Sequence, residues 1–258
     1  MTEKILVIGD FCIDRFVYGS SKRINPEVPV PIFNPINIIE NYGMAGNVAE
    51  NLCSLGFEID LICNKNKIVK TRYVDIESNH MHLRVDENDS VEKEDSFKDI
   101  NKIDFDQYST VVITDHNKGF LSEDDIKDIS TKNKLVFLQT SKLIDKWAES
   151  ISYIKLNMKE YLLSKDKINE LNFLNKLIIT DGSNGCYYND IHFPIEKNIV
   201  TRDLSGAGDT FLSVFVKSIL EKLDVEISIS EAQLAAIEIV QKRGVAKIGE
   251  NEGSINFL

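Results

Sequence analysis

Apolar residues along the chain fall into short runs broken by polar or glycine-bearing turns. The first run, KILVIG at residues 4–9, stops at a glycine and reads as a buried strand. Residues 25–35 carry four prolines, which disfavour helix and suggest an edge strand or extended ribbon. Residues 46–55 have helical character and end at Gly56, a C-terminal stop; 58–63 follow as a strand. Runs at 68–76 and 80–85, parted by Ser78-Asn79, predict a hairpin. With the proline-rich ribbon they predict a small β lid, formed by roughly 14–40 and 68–87. Residues 88–106 are acidic with sparse apolar positions, and read as a solvated connection.

Beyond that point strands and helices alternate. Strands are expected at 110–114, 135–138, 153–156 and 177–180, and a helix at 122–130 with Ser122 as its N-cap. A late hairpin is expected at 186–189 and 191–195, split by Asp190, and closing helices at 207–223 and 230–242. Such alternation predicts an α/β protein, a mostly parallel sheet covered by helices on both faces. The whole chain, 1–258, is read as one domain carrying the lid, with no internal repeat.

Composition narrows the class. Hydrophobic residues make up 43% and charged residues 28%, the balance of a globular protein. The chain contains no run of about 18 apolar residues, so no membrane span is expected. The N-terminus reads as a first strand and not as a signal peptide. The four cysteines are scattered without metal-ligand spacing, which suits free thiols in a reducing cytoplasm. A net charge of −11 argues against a nucleic-acid partner.

Five segments can carry chemistry. In Asp203-Leu204-Ser205-Gly206-Ala207-Gly208-Asp209-Thr210-Phe211, small residues at a helix start leave N–H groups free to hold an anion. Asp209 is then either a helix cap or a general base beside a transferring phosphoryl group. In Gly43-Met44-Ala45-Gly46-Asn47, small residues allow close ligand approach and Asn47 suits sugar hydroxyls; tight helix packing explains them equally. Asp10 and Asp14 follow the first strand, where α/β proteins place ligands, and either bind a polyol or hold a turn. Asn157 and Glu160 either orient the water shell of Mg²⁺ or form a capping box. The run 180–185 either holds nucleotide phosphates or is a turn.

In this order the segments resemble the ribokinase family, the PfkB carbohydrate kinases. DLSGAGDTF is similar to the family's C-terminal signature and GMAGNVAENLCSLG to its N-terminal one. GDFCIDRFVYGSSKRINPEVPVPIF is similar to the opening of the heptose 7-phosphate kinase domain of ADP-heptose synthesis. IVKTRYVDIESNHMHLRVD and TDHNKGFL resemble further parts of that domain.

The resemblance implies a ribokinase-like three-layer α/β/α sandwich using ATP and Mg²⁺. It implies Asp209 as base and Gly206, Ala207 and Gly208 as anion hole. Asp14, Asn47, Gly43 and Gly46 would bind the sugar, and Asn157 and Glu160 would organise the metal. Thr180, Gly182 and Gly185, with Lys118, would line the nucleotide site. Lys70, Arg72 and Arg84 are candidates for the substrate's own phosphate, or form a solvated charged face. The implied reaction is phosphorylation of D-glycero-D-manno-heptose 7-phosphate to the 1,7-bisphosphate. A kinase of another sugar or nucleoside, and a catalytically silent binding protein, are the alternatives. A homodimer through the lid is expected.

Three departures stand out. The stretch between Cys63 and Ile68 is short where relatives carry a further helix and strand. Gln139 stands where they often have Asp, and Glu238 where they often have Asn. The chain ends about where the family's last helix would begin, with no nucleotidyltransferase domain following.

Overall fold

The computed structural model describes residues 3–92, 95–98, 100–195, 199, 201, 204–242, 248 and 253–258. Asp203 of the glycine-loop segment lies outside them. In chain order the elements are β1 (Lys4–Gly9), β2 (Phe11–Ile24), β3 (Pro31–Met44), α1 (Ala45–Ser54), β4 (Glu58–Cys63), β5 (Ile68–Asp75) and β6 (Met81–Glu87). Then come β7 (Thr110–Asp115), α2 (Glu123–Ser130), β8 (Val136–Thr140), β9 (Tyr153–Asn157), α3 (Met158–Leu171) and β10 (Leu177–Thr180). The chain continues with β11 (Cys186–Tyr188), β12 (Ile191–Phe193), α4 (Ala207–Leu220), α5 (Val225–Val240) and β13 (Ser254–Phe257).

Among the described residues two sheets form. The larger has the order β12-β11-β10-β9-β8-β7-β1-β4-β13. Its strands run parallel from β10 to β13, and β11 and β12 add an antiparallel hairpin. Strands β7 and β8 are buried along their whole length, because helices cover both faces of the sheet. Leu6, Ile8, Ile113, Leu138 and Leu156 pack on one face with Ile126 and Ile129 of α2 and Ile168 of α3. Ile5, Val7, Val112 and Phe137 pack on the other with Val48 of α1, Phe211 and Phe215 of α4 and Ile229 of α5. The result is a three-layer α/β/α sandwich.

The smaller sheet has the order β3-β2-β5-β6. Here the structure decides against a turn for Asp14: only Asp10 separates two strands, and Asp14 lies within β2. The polar run after Phe11 forms a strand because it pairs on both sides, antiparallel with β3 and parallel with β5. The proline-rich ribbon is likewise redrawn. Pro26 and Pro29 fall in the β2–β3 connection, while Pro31 and Pro35 lie on edge strand β3, where a missing N–H is tolerated.

Three further expectations change. The connection 88–106 is anchored, with Phe97 and Phe105 buried in the α2/α3-side core. The C-terminal residues form β13, which pairs with β4 and covers the edge beside the short Cys63–Ile68 link. Asp60 of β4 ties this edge together, accepting from Lys4 Nζ (2.7 Å), Tyr108 Oη (2.6 Å) and Asn256 Nδ2 (3.0 Å). Helix α5 begins before 230, because Asp224 caps it by accepting from the Glu226 N–H.

Candidate active site

The C-terminal ends of the parallel strands meet the N-termini of α1 and α4. Gly206 caps α4 in the left-handed region (φ 81°), so the helix opens without a side-chain cap. Asp209, in its first turn, is therefore not an N-cap. Its Oδ2 accepts from Asn47 Nδ2 at 2.9 Å and its Oδ1 from Gln139 Nε2 at 3.0 Å. Asn51 Nδ2 donates to Asn47 Oδ1 at 3.1 Å, which fixes the amide orientation. A carboxylate steered from two sides, half-buried beside a helix N-terminus, can accept a proton from an incoming hydroxyl.

The sequence reading missed what lies beneath this carboxylate. Thr114, Gln139 and Lys155 stand in register on β7, β8 and β9. Side chains two residues back on these strands, Val112, Phe137 and Tyr153, pack with α4. By strand alternation the polar row faces the same way. Lys155 is 6% exposed, and a Cβ on Gly208 would lie 2.7 Å from its Nζ. Burial pushes its ammonium below the ordinary lysine value, with Asp209 and Glu160 pulling the other way. The signal was legible in outline, as one lysine inside the apolar strand YIKLN.

The smaller sheet brings Asp14, Lys70, Arg72 and Arg84 onto one face through the register of β2, β5 and β6. Arg72 forms an ion pair with Asp14 and stacks on Phe16, 5.0 Å from guanidinium carbon to ring centroid. Arg84 grips Asp86 with two hydrogen bonds (2.7 and 2.8 Å). Lys70 has no ion pair or hydrogen bond among the described residues. Cys12 links this face to Asp209: burial pushes its thiol up to about 12, Asp14 and Asp209 add to the rise, and Lys70 and Arg72 oppose it. Gly43 leaves room for Asp14 Oδ2 and Cys12 Sγ, and Gly46 for the Phe11 ring. Asp10 is set apart. Its buried carboxylate accepts from the N–H groups of His116, Lys118 and Phe120 and so holds a loop.

Asn157 and Glu160 form a reciprocal capping box at α3 (2.9 and 2.8 Å), and Ser141 Oγ donates to Glu160 Oε1 at 2.9 Å. Among the described residues no group of three or more His, Cys, Asp or Glu side chains could hold a metal ion. An open groove of about 590 Å³ runs past Asn157, Met158, Leu162, Leu163, Thr180 and Gly182. Gly185 is not in it; its own close contact is with the Phe193 carbonyl. Lys118 pairs with Asp89 at 2.6 Å. Glu238 pairs along α5 with Lys242.

A glycine-capped helix start that carries its own tethered carboxylate thus stands at the ends of the parallel sheet. The sequence pattern of the pfkB family carbohydrate kinases matches residues 68–251, and the chain belongs to that family. The bifunctional protein HldE of Aliarcobacter butzleri (strain RM4018) is 27% identical over 308 aligned positions, covering 98% of this chain and 65% of that protein. HldE of Campylobacter curvus (strain 525.92) is 28% identical, covering 96% and 64%. The chain thus spans slightly under two-thirds of the length of these relatives. Among solved structures, the nucleoside kinase of Methanocaldococcus jannaschii superposes with a TM-score of 0.67 at 18% identity, covering 95% of this chain and 93% of its own. Arabidopsis thaliana ribokinase complexed with ribose and ATP superposes at 0.66 and 14% identity, covering 95% and 94%.

Proposed function

We propose that the protein transfers the γ-phosphoryl group of ATP to a hydroxyl of a sugar phosphate, D-glycero-D-manno-heptose 7-phosphate giving the 1,7-bisphosphate. The observation that carries the chemistry is the Asp209 carboxylate, held by Asn47 and Gln139 at the opening of α4. Asp209 takes the proton of the attacking hydroxyl. The N–H groups of Gly206 and Gly208, with that of Ala207 once it leaves the Leu204 carbonyl (3.4 Å), would meet the charge that grows on the transferring group. The groove beside Thr180 and Gly182 takes the nucleotide.

Mg²⁺ fits only as a partner of nucleotide phosphates, with Asn157 and Glu160 holding its water shell, since their side chains are engaged in the capping box. When bound it would neutralise phosphate charge. Support for the substrate comes from the heptose-kinase-like opening, the HldE relatives and the basic face. Lys70 and Arg72 would meet the substrate's own phosphate, and Asp14 and Asn47 its hydroxyls. In this reading the smaller sheet is a lid on one kinase domain. Its exposed apolar residues, Ile36, Ile38 and Leu83 among them, would pair two copies. The short Cys63–Ile68 link favours one second reading, the same chemistry on another sugar or on a nucleoside.

The test is an ADP-release assay with ATP and Mg²⁺ against heptose phosphates, hexose phosphates, pentoses and nucleosides, with Asp209→Asn in parallel. Turnover on heptose 7-phosphate that falls at least about 1,000-fold in the variant is expected. Turnover on another acceptor alone rejects the heptose assignment, and turnover insensitive to Asp209→Asn rejects the base.

A further inference from the structure

The row Thr114–Gln139–Lys155 is unusual in what it leaves unmade. Among the described residues, Thr114 Oγ1 and Gln139 Oε1 are buried without a hydrogen-bond partner, and so is Thr210 Oγ1 in the first turn of α4. The Lys155 ammonium has no ion pair or hydrogen bond among the described residues. Asp209 and Glu160 act on it only as nearby charges. Buried polar atoms are normally satisfied, and a buried charge without a partner is costly. Thr114 and Gln139 share the row with Lys155, Thr210 lies in the α4 turn that carries Asp209, and the unpaired Lys155 ammonium lies against Gly208 of the same turn.

Two geometric facts say what is missing. Lys155 and Gln139 are direct register neighbours, and Gln139 spends its N–H on Asp209, leaving only its Oε1 unpartnered. Lys155 is thus the lone cation of the row, beneath the α4 N-terminus, where the helix dipole also favours negative charge. Gly208 leaves the space into which the ammonium projects. An anion lodged between helix start and lysine would satisfy both at once.

We propose that Lys155 is a catalytic residue, donating its ammonium N–H to an oxygen of the phosphoryl group in flight. The inference rests on the kinase reading above and adds a charge to it. As the acceptor oxygen bonds to phosphorus, the bond from phosphorus to the bridging oxygen of ADP breaks. The electron pair leaves with ADP, and the acceptor's proton passes to Asp209. Lys155 stays protonated and lowers the cost of the charge on the equatorial oxygens. In the absence of an anion the same ammonium is a liability to the fold, as its burial implies.

Lys155→Met tests both halves, with three readouts on the purified protein. The ligand-free variant is expected to melt several degrees higher than the wild type, since an unpaired buried charge is replaced by an apolar chain of similar length. ADP alone is expected to bind within about threefold of wild type, while aluminium fluoride added with ADP tightens binding at least about tenfold more in the wild type than in the variant. On the acceptor found active, kcat is expected to fall about 100-fold or more with KM for ATP within about threefold.

A variant that melts lower, or does not fold, overturns the proposal, because Lys155 is then structural. Equal tightening by aluminium fluoride in the two proteins overturns it while leaving the kinase reading intact. So does an unchanged kcat when Asp209→Asn is inactive. No tightening in the wild type overturns both.

Discussion

Gln139 donates its amide N–H to Asp209 Oδ1 at 3.0 Å, joining the end of β8 to the start of α4 across 70 residues of sequence. An amide in this place steers the carboxylate without sharing its charge. A carboxylate in the same place would compete for one proton.

Gln139→Glu is therefore expected to raise the apparent acid pKa of kcat/KM by about one unit or more, since two carboxylates in contact resist joint ionisation. Gln139→Leu removes the tether without adding charge, and is expected to lower kcat about tenfold with the acid limb nearly unmoved. A pH–rate profile of the three proteins checks this. An acid limb that stays in place in Gln139→Glu would show that Asp209 does not govern the rate.

Lys70, on the same face as Arg72 and Arg84, has no partner within the described residues. If that face holds the substrate's phosphate, Lys70→Met raises KM for the sugar phosphate about tenfold or more while KM for ATP stays put. Arg72→Met is expected to cost more, because it also leaves the buried Asp14 carboxylate without its counter-charge. Steady-state kinetics with matched phosphorylated and unphosphorylated sugars separate phosphate recognition from general damage.

Asp60 offers a test that does not depend on activity. Burial alone would raise its pKa, but hydrogen bonds from Lys4, Tyr108 and Asn256 more than offset this and hold it below the ordinary carboxylate value. A depressed folded pKa stabilises the protein above the unfolded value, and the contribution is lost as pH falls through the folded one. Tyr108→Phe is expected to cost about 1–2 kcal/mol at pH 7. In urea unfolding, the gap between wild type and Asp60→Asn is expected to narrow as pH falls below about 4. A gap that does not change with pH would contradict the linkage.

Gly9 closes β1 where the backbone of β7 comes nearest. A Cβ there would lie 1.9 Å from the Thr114 carbonyl oxygen. Backbone cannot step aside as a side-chain tip can, so Gly9→Ala is expected to cost about 3 kcal/mol or more, or to prevent folding. Thermal melting or soluble yield reads this out; near-wild-type stability would mean that the two strands separate more easily than their register suggests.

Much of this protein was written locally. Apolar runs bounded by turn residues marked β1, β4, β7 and β10 to within a residue or so. The pair Asn189-Asp190 adopts positive φ at both positions, as the hairpin reading of that turn requires. Ser122 and Asp125 form the reciprocal cap of α2 that the serine promised. The glycines and carboxylate around Asp209 needed only their own sequence to stand out, because a helix start and its backbone donors are local features.

Other features were decided by distant partners. Phe11–Ile24 is one continuous strand because β3 and β5 flank it, which its own polar residues and glycine do not announce. Phe97 and Phe105 are buried because the larger sheet supplies a core for them. The two tethers on Asp209 come from 162 and 70 residues away. Lys155 acquires its meaning only in the fold. Strand alternation says which residues share a face, and the sequence determined that much; which helix covers that face, and whether a charge beneath it finds a counter-charge, follows from packing that no local pattern encodes.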